Sequence, residues 1–232
     1  MAQSLQEMEN ARLAVLERHR LNGVIFECAD GIVIEETVKI GKGTRISPNV
    51  TLRGETEIGE NCTLTGGTVI VDCIVGDGST VNASQCTQSR IGKEVSVGPF
   101  SHLRPGSVLE DHVHVGDFVE VKNSTIGVGT SVAHLTYIGD SDVGRNVNFG
   151  CGCVTVNYDG ARKYRCKIGD NAFIGCNVNL IAPVEVGDNT FIAAGSTITD
   201  EVPGGDFAIA RARQINKPGL GAEKLRERKP KW

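Results

Sequence analysis

An aliphatic residue recurs at every sixth position through most of this chain, and that period constrains the fold more than any other feature. The first run comprises Ile34, Ile40, Ile46, Leu52, Ile58 and Leu64, and the last runs from Ile168 to Ile198. A small or β-branched residue follows four positions later in many hexads, as at Thr44, Val50, Thr56, Cys62, Thr68, Ser101, Val113, Thr136, Ala172, Thr190 and Ser196. Neither the period of an α-helix nor the alternation of a β-strand explains this spacing.

The six-residue period is typical of a parallel β-helix. Each hexad supplies two inward side chains, and three hexads, about 18 residues, make one triangular coil. Glycine often follows the aliphatic residue, as at Gly41 and Gly92, where a corner needs backbone freedom. We therefore predict an all-β fold, a parallel β-helix over residues 23–210, with about nine coils between residues 34 and 203.

The two ends of the chain lack the repeat. Residues 1–22 are predicted to contain a helix over residues 4–20, with a capping box of Ser4 and Glu7. Its apolar stripe is expected to comprise Leu5, Met8, Leu13 and Leu16, and it covers the open first coil. Residues 211–232 are predicted to form an irregular basic tail, most of whose charges are solvated.

Composition excludes several classes of function. The net charge of −4 and the pI near 5.8 provide no basic surface for nucleic acid. No apolar run approaches the roughly 18 residues of a membrane span, so neither nucleic acid nor a membrane is expected as a partner. We expect a cytoplasmic protein whose eight cysteines are mostly reduced.

Charged and polar residues interrupt the repeat at particular places. Arg104 and Lys122 are 18 residues apart, one coil of the predicted helix, so they should lie above one another. Such a pair would suit a phosphate, although two unrelated surface cations remain an alternative. His134 could act as a general base near neutral pH, or it could be a hydrogen-bonded structural residue.

Two metal hypotheses remain open but are disfavoured. His112 and His114 could share one strand face and bind zinc, yet no third ligand appears at matching spacing. Cys151 and Cys153 form a C-x-C, but Cys153 occupies the small inward position of its hexad, where packing explains it. We therefore expect no metal for the reaction.

Several segments together resemble a known family. These are "GPFSHLRPGS", "GDFVEVKNSTIG", "AHLTYIGDSDVGRNVNFGCG", "NYDGARKYRCKIGDNAFIG" and "IAAGSTIT" followed by "AIARARQINKPG". They are similar, over about residues 12–219, to the acetyltransferase domain of the bifunctional N-acetylglucosamine-1-phosphate uridyltransferase and glucosamine-1-phosphate acetyltransferase family. The resemblance implies a left-handed β-helix that forms a homotrimer, with acetyl-CoA as co-substrate and the amino sugar phosphate bound between subunits.

The resemblance also implies roles for individual residues. His134, Asn157 and Tyr158 look like catalytic residues, with His134 as the general base and the Tyr158 backbone at the developing oxyanion. The sugar phosphate would contact Arg104, Lys122, Tyr137, Asn148 and Lys163. Coenzyme A would contact Cys151, Cys176, Ala194 and Arg211. Cys151 and Cys176 depart from the alanine and serine usual in the family, which is expected to tune coenzyme binding.

The leading hypothesis is a stand-alone glucosamine-1-phosphate N-acetyltransferase in the synthesis of UDP-N-acetylglucosamine and cell-wall precursors. No uridyltransferase motif precedes the repeats, so a separate protein is expected to supply that step. Two alternatives stay open: the acceptor could be another amino sugar phosphate, or the chain could be a non-catalytic trimeric scaffold or regulatory subunit. An ice-binding surface is disfavoured because a flat Thr-x-Thr ladder is missing.

Overall fold

The computed structural model describes residues 4–226, which form one β-helix with a short helix at each end. Helix α1 spans Leu5–Leu21 and helix α2 spans Leu220–Arg226. The strands in chain order are β1 (Ile25–Phe26), β2 (Val33–Ile34), β3 (Lys39–Ile40), β4 (Arg45–Ile46), β5 (Thr51–Arg53), β6 (Glu57–Ile58), β7 (Thr63–Leu64), β8 (Val69–Val71), β9 (Ile74–Val75), β10 (Thr80–Val81), β11 (Gln85–Thr87), β12 (Arg90–Ile91), β13 (Ser96–Val97), β14 (His102–Leu103), β15 (Val108–Leu109), β16 (His114–Asp117), β17 (Glu120–Lys122), β18 (Thr125–Ile126), β19 (Ser131–His134), β20 (Tyr137–Gly139), β21 (Ser141–Val143), β22 (Asn148–Phe149), β23 (Val154–Val156), β24 (Cys166–Ile168), β25 (Phe173–Ile174), β26 (Asn179–Ile181), β27 (Val184–Val186), β28 (Phe191–Ile192), β29 (Thr197–Ile198) and β30 (Phe207–Ala208).

Three parallel sheets form the faces of a triangular prism, which confirms the predicted parallel β-helix. Face A has eleven strands from β1 to β30, face B has ten from β2 to β29, and face C has nine from β3 to β27. Every third strand pairs in register with the strand one coil away, so each residue has a counterpart directly above and below it. The coils begin at Ile25 and end at Ala208, beyond the 34–203 range predicted from the sequence.

The predicted aliphatic positions form the core of the prism. Ile46, Leu52, Leu64, Leu103, Ile126 and Leu180 are among the side chains with almost no exposed surface. The small position of the hexad is also buried, from Thr44 to Ser196. Its hydroxyl groups hydrogen-bond neighbouring coils, as when Thr44 Oγ1 donates to Gly59 O (2.8 Å) and accepts from Cys62 N (3.0 Å). Polar groups at this position are therefore buried without losing their hydrogen bonds.

Helix α1 covers the first coil, but not through the predicted apolar stripe. The capping box is present, since Glu7 N donates to Ser4 Oγ (3.2 Å) and Ser4 N donates to the Glu7 carboxylate (2.7 Å). Val15, Leu16 and His19 are the buried residues of the helix. Leu5, Met8 and Leu13 remain exposed, so that part of the prediction was wrong: only the C-terminal half of α1 packs on the prism.

The chain after the last strand is mostly extended. The sequence predicts an irregular tail, whereas the structure places the short helix α2 in it, none of whose residues is buried. Among residues 4–226, neither helix combines the length and apolar character that a membrane span requires.

Candidate active site

Three cations gather where face B meets face C. Strands β14 and β17 pair in register, so Arg104 and Lys122 occupy equivalent positions of successive coils. The side chain of Lys163 lies against Lys122 and lowers the pKa of that ammonium group; the charge of Lys163, desolvation and the charge of Arg104 lower it further, while Asp140 opposes the shift. We call Arg104, Lys122 and Lys163 the cation cluster. Mutual repulsion of this kind is relieved when an anion binds between the cations.

One member of the cation cluster already has a partner. The guanidinium of Arg104 donates to the Glu120 carboxylate at 2.8 Å, and both side chains are more than a third exposed. Such an exposed pair stabilises little and exchanges readily for a better acceptor. Arg104 is therefore held in place without being lost to an incoming phosphate.

Polar groups extend the cation cluster across face B. Asn157, which is 8% exposed, donates through its side-chain amide to the Asp140 carboxylate and to the Tyr137 hydroxyl oxygen (3.5 Å). Gly139 lies between them, because a Cβ there would come within 2.3 Å of the Tyr137 hydroxyl oxygen. The backbone is thus bare beside Tyr137, and a sugar ring can approach it closely.

The loop that carries Lys163 interrupts the repeat between β23 and β24. Register partners on face A are 25 residues apart between Asn148 and Phe173, against 16 to 20 elsewhere on that face. Tyr158 and Lys163 form an antiparallel bridge. The Asp159 carboxylate closes the tip by accepting from the backbone N–H groups of Ala161 (2.7 Å) and Arg162 (2.6 Å). The extra residues thus build a braced hairpin that projects from the prism.

A second set of predicted residues follows the corner between faces A and B. His134, Cys151, Cys176 and Ala194 occupy equivalent corner positions of four successive coils; we call them the corner column. The backbone shows their alignment, since the carbonyl of each of the first three accepts from the residue after the next one, as in Asn177 N to Cys151 O (2.8 Å) and Gly195 N to Cys176 O (2.8 Å). At about 4.8 Å per coil, the column is about 14 Å long.

Arg211 lies at the far end of the corner column. Its guanidinium donates to the carbonyl oxygen of Ala194 at 2.6 Å, which fixes the cation beside the last member. His134 lies at the other end and is exposed, three residues before Tyr137 on face B. His134 therefore stands between the corner column and the polar groups around the cation cluster.

The remaining predicted residues are placed as follows. Tyr158 is 55% exposed, and its hydroxyl donates to Gly160 O (2.6 Å) within the projecting loop. Asn148 is exposed on face A, so it points away from the cation cluster of its own chain. Cys153 is buried in the core and donates to Gly175 O (3.1 Å), as the hexad position predicts.

The histidines considered as zinc ligands have other partners. His112 pairs with Glu94 (3.1 Å), and His114 Nδ1 hydrogen-bonds Ser96 Oγ (2.7 Å). Within the described range, 4–226, no group of three or more His, Cys, Asp or Glu side chains could hold a metal ion.

Sequence reasoning missed the residues that support the cation cluster. Asp140 is 6% exposed, and its carboxylate accepts from the amides of both Asn123 and Asn157. Arg165 anchors the base of the loop through two bonds to Asp142 (2.6 and 3.0 Å) and one to Asn123 O (3.1 Å). Asn123, Asp140 and Asn157 are spaced at 17 residues, so counting coils could have found them.

The comparisons with known proteins agree with this architecture. A family model described as bacterial transferase hexapeptide (six repeats) matches residues 165–200, and one described as GMPPB C-terminal domain matches residues 28–117. A structure of a UDP-N-acetylglucosamine acyltransferase from Francisella novicida is 18% identical, with a TM-score of 0.50 and coverage of 80% of this chain and 67% of that one. At this identity the structural likeness shows the fold alone.

Curated relatives are much more similar. Proteins named "Bifunctional protein GlmU" are 51% identical over 206 residues in Geobacillus sp. and 49% identical over 213 residues in Streptococcus thermophilus. The matches cover 89% and 92% of this chain but 45% and 46% of those proteins, so the chain spans about half the length of the curated relatives it matches. The chain therefore belongs to the GlmU family, and it corresponds to the half of those proteins that carries the hexapeptide repeats.

Proposed function

We propose that this chain is a glucosamine-1-phosphate N-acetyltransferase. It would transfer the acetyl group of acetyl-CoA to the sugar amine and yield N-acetylglucosamine 1-phosphate, for UDP-N-acetylglucosamine and cell-wall precursor synthesis. The observation that carries the proposal is the position of His134, between a cluster of three cations and a corner column of small side chains. One side suits a phosphorylated sugar, and the other suits a long, narrow thioester.

The cation cluster would bind the phosphate of the acceptor. Arg104 offers a planar fork of donors, and the two lysines offer point charges. Lowering of the Lys122 pKa by Lys163 supports this role, because a bound phosphate would compensate the repulsion between them. Tyr137 and Asn157 would hydrogen-bond the sugar, and Gly139 would let its ring approach the sheet.

His134 would act as the general base. As the amine nitrogen attacks the thioester carbonyl, His134 would take the proton that the amine loses. The tetrahedral intermediate would then collapse, the carbon–sulfur bond would break, and the thiolate of coenzyme A would leave and be protonated. The Tyr158 backbone would stabilise the oxyanion, for which fixed donors matter most.

The corner column would bind the pantetheine arm of acetyl-CoA. Its length, about 14 Å from His134 to Ala194, is comparable to that of an extended pantetheine arm. Cys151, Cys176 and Ala194 are small enough to leave room along it, and Arg211 would meet a phosphate of the coenzyme at the far end. The thioester would then lie beside His134.

We further propose that the active site is shared between copies in a homotrimer. Asn148 belongs to face A, whereas Tyr137, Lys122 and Asn157 belong to face B, and these two faces of a prism point in different directions. A single chain therefore cannot bring Asn148 to the sugar, but a neighbouring copy can. Sedimentation combined with the acetyl-transfer assay tests this: full activity at a monomeric mass would contradict the shared site.

The decisive assay follows thiol release from acetyl-CoA with glucosamine 1-phosphate as acceptor. We expect turnover that depends on both substrates, and its absence in the wild type would overturn the proposal. Galactosamine 1-phosphate and other amino sugar phosphates, tested in parallel, would show whether the acceptor is different. A non-catalytic trimeric scaffold, the other alternative, predicts that calorimetry detects no binding of coenzyme A. A cytoplasmic location and a separate uridyltransferase partner remain predictions from the sequence.

A further inference from the structure

Three phenylalanine rings form a continuous stack on the outer surface of face A. The ring centroids of Phe173 and Phe191 are 4.6 Å apart, and those of Phe191 and Phe207 are 5.2 Å apart. The rings are nearly parallel, at 17° and 11°. Their exposed fraction rises from 38% at Phe173 to 62% at Phe207, so the last ring is open to solvent.

Aromatic side chains occur in only part of this row of face A. The counterparts in the preceding coils are small or polar, namely Thr63, Thr80, Ser96, His114, Ser131 and Asn148. Cross-strand stacking stabilises any sheet, so stability alone does not explain why the aromatic side chains begin at Phe173. A local function of these last coils would explain it.

The aromatic rows coincide with the coenzyme end of the proposed site. Phe173 is on the coil that carries Cys176, Phe191 is on the coil that carries Ala194, and Phe207 lies four residues before Arg211. The surface between the stack and the corner column is flat, because a Cβ at Gly150 or Gly175 would come within 2.5 Å of a backbone nitrogen of the next coil. No side chain therefore separates the stack from the corner column there.

Resting on the proposed function, we propose that Phe207 is a platform on which the adenine ring of coenzyme A stacks. Arg211, fixed against Ala194 O, would hold the adjoining phosphate and so deliver the nucleotide to the end of the stack. The outer ring face of Phe207 has the flat apolar shape that a purine needs for stacking, and aromatic stacking is tolerant of small shifts in position. Phe191 and Phe173 support this ring from below.

Isothermal titration calorimetry on the full chain tests the platform with three probes: coenzyme A, 4′-phosphopantetheine, which lacks the adenosine, and adenosine 3′,5′-bisphosphate, which lacks the pantetheine. Phe207→Leu is expected to weaken binding of coenzyme A and the bisphosphate by about 5- to 100-fold, the usual effect of losing one stacked ring. Binding of 4′-phosphopantetheine should be unchanged, and Phe207→Tyr should bind all three probes normally. Phe100→Ala, at the end of a different phenylalanine stack and 63% exposed, is the matched control and should bind like the wild type.

The outcomes separate the platform from the proposed function. If Phe207→Leu binds coenzyme A as tightly as the wild type, or loses affinity for 4′-phosphopantetheine to the same degree, the platform is wrong. If the wild type binds no coenzyme A, the proposed function fails and the platform fails with it. Thermal unfolding of each variant must show that the last coils remain folded; an adenosine effect in a variant with unchanged Tm supports the platform.

Discussion

The cation cluster and the corner column lie on neighbouring parts of the same prism, yet they are built in opposite ways. The corner column is a product of the repeat: equivalent positions of successive coils align with no change in the backbone path. The cation cluster needs a departure from the repeat, since Lys163 reaches Lys122 only from a loop braced by Asp159 and Arg165. A regular solenoid thus provides a long, uniform groove, while convergent charges require an insertion.

The difference also separates the expected effects of mutation. Residues of the cation cluster should affect the sugar phosphate, residues of the corner column should affect the coenzyme, and His134, between them, should affect the chemical step. The four predictions below test that division, beginning with the largest effect.

His134→Ala should lower kcat for acetyl transfer by about 100- to 10,000-fold, the usual contribution of a general base. The KM values for both substrates should change little, because His134 would act on the transferring proton. His112→Ala is the control, since His112 is an exposed histidine paired with Glu94. Full activity in His134→Ala would remove His134 from the chemistry.

Lys122→Met should raise the KM for glucosamine 1-phosphate by about 10- to 100-fold, the range expected for one charge-assisted hydrogen bond. Methionine keeps the apolar stem and removes only the charge, and the KM for acetyl-CoA should stay within twofold. Lys167→Met removes a lysine that pairs with Glu185 on face C, so it should leave both KM values unchanged. An equal rise in both KM values for Lys122→Met would argue against two distinct regions.

Cys151→Leu should raise the KM for acetyl-CoA by roughly tenfold, because added carbons at a close-packed position cost of the order of 1–3 kcal/mol. The KM for glucosamine 1-phosphate should be unaffected. Cys28→Leu, at an exposed cysteine near the N-terminal end of the prism, is the matched control. If Cys151→Leu kept a normal KM for acetyl-CoA, the pantetheine arm would not follow the corner column.

The smallest expected effect lies outside both regions, at the junction of α1 with the first coil. Burial, followed by the charge of Arg18, lowers the pKa of His19, whose Nε2 has no partner. The folded chain thus binds this proton less readily than the unfolded chain, so stability is fully present above about pH 6.5 and falls as the pH drops toward the lowered pKa. His19→Leu should reduce the loss of Tm between pH 7.5 and pH 5 by about 2–4 °C or less.

A Tm loss of the same size in His19→Leu and in the wild type would contradict this origin. His114→Leu is the control, since His114 hydrogen-bonds Ser96 on the prism surface. The kinetic constants should be unchanged in His19→Leu, which separates this junction from the active site.

Much of the fold could be predicted from the sequence because the six-residue period states directly which side chains face inward. Ile46, Leu64 and Thr44 are buried where the hexad places them. The apolar stripe of α1 was mispredicted because Leu5, Met8 and Leu13 have the right spacing but nothing to pack against. Spacing defines the face of a helix, whereas contact depends on where the helix lies on the prism.

The candidate site was predictable only where coil counting applies. Arg104 and Lys122 can be aligned from their 18-residue separation, but the coil between Asn148 and Phe173 contains an insertion, so counting fails for Lys163. Asp140 and Arg165 support the site through hydrogen bonds, and the period gives no information on their partners. The phenylalanine stack escaped notice because its members are single residues widely separated in the sequence.

The central claim is that two differently built regions bind two different substrates, and calorimetric titration of two variants tests it most directly. Lys122→Met and Arg211→Met would each be titrated with glucosamine 1-phosphate and with coenzyme A. The account predicts that Lys122→Met loses affinity for the sugar phosphate and keeps it for coenzyme A, while Arg211→Met shows the reverse. Loss of both ligands in either variant, without a change in Tm, would contradict it.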